Sequence, residues 1–136
     1  MQLQTYVFFN GRCDEAIEFY KKALGAKVNM LTRFNQNPEP MPNANPANAE
    51  KVMHANVTIG DSVLLMSDGQ CQGAAKFEGF SLTVAVKTDD EAKRVFAALS
   101  DGGRVGMPLA KTFFSSSFGM LHDRFGINWM VIVQSA

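Results

Sequence analysis

From its first residues the chain alternates and then changes period. Residues 4–9 carry aromatic and β-branched side chains in alternation, which predicts a strand. Asn10-Gly11 breaks it. Ala16, Ile17, Tyr20, Ala23 and Leu24 then recur at helical spacing, with Asp14 as a cap or first-turn acid and Gly25 as a left-handed stop. A second strand is expected over Lys27 to Phe34. Val52–Ile59 alternates, placing Ala55, Val57 and Ile59 on one face and His54, Asn56 and Thr58 on the other. Gly60-Asp61 turns the chain into a hairpin partner, Ser62–Ser67.

A weaker copy follows about 76 residues later. Asp14-Glu15-Ala16 returns as Asp90-Glu91-Ala92 and Tyr20 as Phe96. Ser81–Val86 reads as a strand. A helix follows from Thr88 or Asp89 to about Leu99, striped by Ala92, Val95, Phe96 and Leu99, and Gly102-Gly103 stops it. Arg104–Phe114 is strand-like but interrupted by Pro108, which suggests an edge or a bulge. Ser117–His122 and Asn128–Val133 read as a hairpin. The expected order is βαβββ twice, an α+β chain in one domain over 1–136. Module one spans about 1–69, a linker 70–78 and module two about 79–136. The stretch Asn35–Glu50 has four prolines and five asparagines, so it is expected to be an irregular loop, either a plain excursion or a lid.

Composition narrows the function. Thirteen basic and thirteen acidic residues balance, without long runs of either sign. That argues against a nucleic-acid surface and against a polybasic membrane anchor. No apolar run approaches the ~20 residues of a membrane span, and the N-terminus lacks the pattern of a signal peptide. A cytoplasmic protein is expected. Cys13 and Cys71 have no metal-ligand or redox spacing and read as two reduced thiols. A reactive Cys13, its pKa lowered by the helix start, is the weaker alternative. No G-x-S-x-G context surrounds Ser115–Ser117, and no phosphate loop, dinucleotide, nicotinamide or S-adenosylmethionine pattern occurs.

Several motifs together carry a family resemblance: AIEFYKKALGAKV, Phe9-x-Gly11, HANVTI, the MSD ending at Asp68, GFSL, FGMLHDRFG and the closing HDRFGINWMVIV. On these the chain resembles the vicinal oxygen chelate superfamily, the glyoxalase, bleomycin-resistance and extradiol-dioxygenase group. Closer still, it is similar to the PhnB-like branch, once labelled by analogy with a demethylubiquinone methyltransferase. The resemblance implies two βαβββ modules forming a cupped mixed sheet with helices outside, a ligand in the cup and a homodimer. In many members it also implies a divalent metal held by His, Glu or Gln from the first and last strands of each module.

Carried onto this sequence, the metal positions fall at Thr5, Ser81, Met130 and Leu64, or Met66 if the hairpin slips by two. Neutral hydroxyls, an aliphatic side chain and thioethers are a poor set for such an ion, so no metal and no cofactor are expected. His54 remains the candidate acid or base, with a structural rim histidine as the plainer reading. His122 reads as a turn or rim residue. Thr5, Val7, Phe9, Asn56, Leu64, Ser67, Asp68, Ser81 and Met130 are expected to contact a small organic ligand. An apolar lining from Phe9, Phe80, Phe113, Phe114, Phe118, Trp129 and Met130 is weighed against ordinary core. The function expected is ligand binding without metal. The alternative is an enzyme with metal-free or displaced-metal chemistry using His54.

Overall fold

The structure, a computed structural model, describes residues 1–39, 45–71 and 73–134. The chain divides into two compact units, Met1–Ala75 and Lys76–Ala136. The division falls inside the stretch expected to link the modules.

The first unit contains β1 (Thr5–Phe8), α1 (Cys13–Leu24), β2 (Lys27–Arg33), β3 (Val52–Ile59) and β4 (Ser62–Ser67). Its sheet has the order β1-β4-β3-β2, with β1 parallel to β4 and the other neighbours antiparallel. The second unit repeats the plan with β5 (Leu82–Val86), α2 (Asp89–Ser100), β6 (Arg104–Ala110), β7 (Phe118–His122) and β8 (Asn128–Val133), in the order β5-β8-β7-β6. The order βαβββ thus occurs twice in an α+β chain, with each helix against one face of its own sheet.

The helices form where the apolar stripes lie. Ala16, Ile17, Phe19, Tyr20 and Ala23 of α1 are buried, and so are Ala92, Val95, Phe96 and Leu99 of α2. Thr88 caps α2, its hydroxyl accepting from Glu91 N at 3.1 Å, a cap that contributes about 1 kcal/mol. Arg12 stands at the cap position of α1 without a side-chain cap, and Asp14 lies in the first turn. Gly25 ends α1 in the left-handed region at φ 68°, where a Cβ is disfavoured.

Two expectations about strands and loops change. The Asn35–Glu50 stretch contains regular turns at both ends, 3-10 turns at Phe34–Gln36 and Pro46–Asn48; residues 40–44 lie outside the described residues. Asn45 makes the second turn possible by accepting from Ala47 N, which proline at the next position cannot obstruct. The neck of the loop is closed by Phe34 N to Lys51 O and Asn35 N to Ala49 O. Arg33 braces it from outside, donating to Glu50 O and to both oxygens of Asp14. The sixth strand stops at Ala110 rather than Phe114. It is an edge strand with register shifts around Met107, as Pro108 requires.

Gly119 sets how closely α2 approaches its sheet. A Cβ there would stand 2.7 Å from Phe96 Cε2 and 3.0 Å from Met107 O. Gly119→Ala is therefore expected to destabilise the protein by about 1–3 kcal/mol through overpacking, read as a lower midpoint in urea unfolding at unchanged slope.

Candidate functional site

Strand register decides which side chains each sheet shows on the face away from its helix. In the first unit Thr5 pairs with Leu64, Val7 with Met66, Met66 with Ala55, and Leu64 with Val57. These positions share the helix-covered face: Val7, Leu64, Met66, Ala55 and Val57 are buried, and Phe9 continues the same alternation into the core. Thr5, Val7, Phe9 and Leu64 therefore do not look onto the open face. The expectation that they would contact a ligand there is corrected, and Met66 fails with them.

The cause is a parity change between the two copies. The 76-residue offset holds for the helices, where Ala16 matches Ala92 and Tyr20 matches Phe96. In the strands, however, the helix-covered residue of β1 is Val7, whereas β5 buries Val86 and pairs Val84 with buried Val131. Asn10 and Gly11 join β1 to α1 at φ 48° and 106°, while Thr88 enters α2 from extended backbone. An odd shift reverses every side chain of a strand. Ser81 consequently keeps the open-face parity of Thr83, and Met130, paired with Thr83, lies on the open face of the second sheet. Asn128 donates to Ser81 Oγ.

The open face of the first sheet shows Tyr6 and Phe8 from β1, and Lys27, Met30 and Thr32 from β2. It also shows His54, Asn56 and Thr58 from β3, with Val63 and Leu65 from β4. Tyr6 is 39% and Phe8 52% exposed. Their rings lie 4.9 Å apart, and the Tyr6 ring lies 5.6 Å from the His54 ring. The Tyr6 hydroxyl is 2.9 Å from His54 Nδ1. Asn29 Nδ2 donates both to Asn56 Oδ1 at 2.8 Å and to Thr58 Oγ1 at 2.6 Å. His54 and Asn56 are thus placed on this face. Tyr6 and Phe8 were missed, because counting from the helix anchors pointed to the residue beside each.

Ser67 and Asp68 are committed elsewhere, which corrects their assignment as ligand contacts. Ser67 Oγ donates to Met53 O at 2.7 Å and accepts from Gly69 N. Asp68 is fully buried. Its Oδ1 accepts from Gly11 N at 2.7 Å and Cys13 N at 2.8 Å, and its Oδ2 accepts from Val52 N at 2.9 Å. Burial, and next the Asp68 charge, raise the Cys13 thiol far above its ordinary value, which removes the low-pKa thiolate alternative. The same two causes raise Cys71.

In the second unit Phe9's counterparts divide between core and surface. Trp129 is buried and donates to Asp123 Oδ2 at 2.8 Å, while Phe80, Phe113 and Phe114 are exposed. His122 Nδ1 lies 3.5 Å from Arg104 Nη2 at the sheet end. Ser116 and Ser117 both donate to Asp89 Oδ1 at 2.7 Å.

The resemblance implies a metal, so the donors must be tested. The open-face positions on the first and last strands are Tyr6 and Leu65 in one unit, Thr83 and Met130 in the other. A phenol, an aliphatic chain, an alcohol and a thioether do not fit a hard or borderline divalent ion. Among the described residues no group of three or more His, Cys, Asp and Glu is placed to hold one.

Against known proteins, residues 1–132 match the family model described as 3-demethylubiquinone-9 3-methyltransferase. The chain belongs to this PhnB-like family. The chain is similar to Protein YjdN of Escherichia coli (strain K12), 34% identical over 140 residues, covering 98% of this chain and 95% of that protein. Among solved structures, PA1353 from Pseudomonas aeruginosa is 37% identical with a TM-score of 0.87, over 100% of this chain and 99% of that one. The PhnB protein from Bacillus cereus is 27% identical with a TM-score of 0.82, over 98% and 99%. A glyoxylase/bleomycin resistance protein/dioxygenase domain from Frankia sp. EAN1pec, 15% identical with a TM-score of 0.63 over 98% and 95%, shares the fold. The PhnB-like chain therefore has the glyoxalase/bleomycin-resistance fold. None of its described helices is long and apolar enough to cross a membrane.

Two outcomes follow from these contacts. Asp68→Asn is expected to cost about 2–4 kcal/mol, because an amide NH2 set against the Val52 N–H leaves a buried donor unpaired; chemical denaturation measures it. The hydroxyls of Ser116 and Ser117 hold Asp89 below its ordinary carboxylate value. The stabilisation they lend is complete above the unfolded pKa and is lost as pH falls through the lowered folded one. A Ser116→Ala, Ser117→Ala double variant is expected to raise the Asp89 pKa toward its ordinary carboxylate value, as read by carboxyl-carbon NMR titration.

Proposed function

We propose that this PhnB-like protein binds a small organic molecule on the open face of its first sheet and does so without a divalent metal. The observation that carries this reading is the exposed Tyr6–Phe8 ring pair next to a row of polar side chains, His54, Asn56 and Thr58. Aromatic surface with a few directed polar groups suits a small organic ligand. The donor chemistry at Tyr6, Leu65, Thr83 and Met130 supports the metal-free part. On the open face of the second sheet, taken by itself, Ser81 and Met130 remain proposed ligand contacts.

The protein acts in the cytoplasm, in keeping with two free thiols, and as a homodimer, in keeping with the family resemblance. A second reading draws on the Tyr6 contact to His54, which would orient an imidazole for proton transfer. A ligand whose turnover is abolished in His54→Gln while its binding persists would favour that enzyme.

The test is saturation-transfer NMR on the chelator-treated full chain with a panel of small aromatic compounds. Binders are expected, and Tyr6→Ala with Phe8→Ala is expected to abolish their signals. Binding that appears only after zinc, nickel or manganese is added overturns the metal-free part. Binders unaffected by the double variant overturn the assignment to this face.

A further inference from the structure

The open face of the first sheet carries one cation, Lys27, and a row of polar side chains on β3. In the Nε2–H tautomer of His54 the Tyr6 O–H donates to His54 Nδ1, which leaves the proton on Nε2 facing away from that bond. Nε2 has no protein partner among the described residues. No buried side-chain nitrogen or oxygen among them lacks one, so Nε2–H is open to solvent. Asn29 acts in the same way on the next two positions. Its amide donates to Asn56 Oδ1 and Thr58 Oγ1, which uses one lone pair on each and leaves the Asn56 amide group to donate outward.

The face therefore presents the donors His54 Nε2–H and Asn56 Nδ2–H in one row. His54 and Asn56 lie on the same side of β3 with Cα atoms about 7 Å apart, within reach of a common partner for side chains of this length. Lys27 pairs with Thr58 at the end of the row and adds positive charge, while no Asp or Glu occupies a paired position on this face. The rings of Phe8, Tyr6 and His54 stand side by side next to these donors.

We infer that the ligand class of this face is a flat aromatic carboxylate, its ring on Tyr6 and Phe8 and its carboxylate accepting from His54 Nε2–H and Asn56 Nδ2–H. This rests on the reading that the face binds small organic molecules, and sharpens it. A charged acceptor makes hydrogen bonds roughly twice as strong as a neutral one. A cationic analogue meets donors and Lys27, which repel it.

The full chain, isotopically labelled, is titrated separately with sodium benzoate, benzyl alcohol and benzylamine, following backbone shifts and the side-chain nitrogens of His54. Benzoate is expected to shift Tyr6, His54 and Asn56 and to bind about tenfold tighter than benzyl alcohol, with benzylamine weakest. His54→Phe is expected to bring benzoate down to the level of benzyl alcohol. Asn56→Leu, at an equally half-buried position, is expected to weaken benzoate but not benzyl alcohol. Free His54 is expected to show the Nε2–H tautomer. Equal binding of the three compounds, or a dominant Nδ1–H tautomer, overturns the carboxylate inference and leaves the small-molecule reading standing. No shift on this face with any of the three overturns both.

Discussion

The first unit depends on one buried carboxylate. Asp68 follows β4, and from there its two oxygens hold three backbone N–H groups from two distant segments, the β1–α1 turn at Gly11 and Cys13 and the start of β3 at Val52. The chain also passes its backbone back through the same point, Asp68 N donating to Val52 O and Cys71 N to Asp68 O. A buried ionised group is tolerated only when fully hydrogen-bonded, and here both oxygens have partners. The negative charge also lies at the N-terminus of α1, where the helix dipole favours it and where Arg12 offers no side-chain cap. One residue thus does what a capping serine does elsewhere and ties the parallel strand pair to its helix at the same time.

The second unit builds a similar sheet by other means. Its helix has a local cap in Thr88, and its buried carboxylate, Asp123, serves the β7–β8 connection, accepting from Phe125 N, Ile127 N and the Trp129 indole. Two copies of one topology have placed their buried charge at different corners. The difference in the strand-to-helix turn follows from this. Asp68 draws Gly11 and Cys13 inward, and Asn10 and Gly11 take left-handed backbone to reach it. That turn is what reverses the parity of β1 relative to β5.

Much of this was legible in the sequence. The helix stripes, the left-handed stop at Gly25, the hairpin of β3 and β4, and the edge character imposed by Pro108 are all local signals, and each has its cause within a few residues. The face of β3 was legible too, because Val52–Ile59 alternates without interruption. What was not legible is what depends on distant partners. Thr5 and Ser81 look equivalent at 76 residues apart, and only the register with β4 and β8 shows that they lie on opposite faces. Asp68 before a glycine reads as a turn former or a rim carboxylate. Its acceptors' partners, 57, 55 and 16 residues away, leave no mark near it.

The parity reversal matters chemically as well as geometrically. With Thr5 outward, the first strand would show an alcohol, a neutral group that both donates and accepts. With Tyr6 outward, it shows an aromatic surface and a phenol hydrogen-bonded to His54. The same reversal puts Phe8 rather than Phe9 at the surface, so that Phe9 packs near Tyr20 in the core while Phe8 extends the ring surface. Adjacent phenylalanines thus separate into a buried and an exposed position by one residue of register. Asn29 donates to both Asn56 Oδ1 and Thr58 Oγ1, so one amide fixes two neighbouring polar side chains of β3 and turns the Asn56 amide group outward.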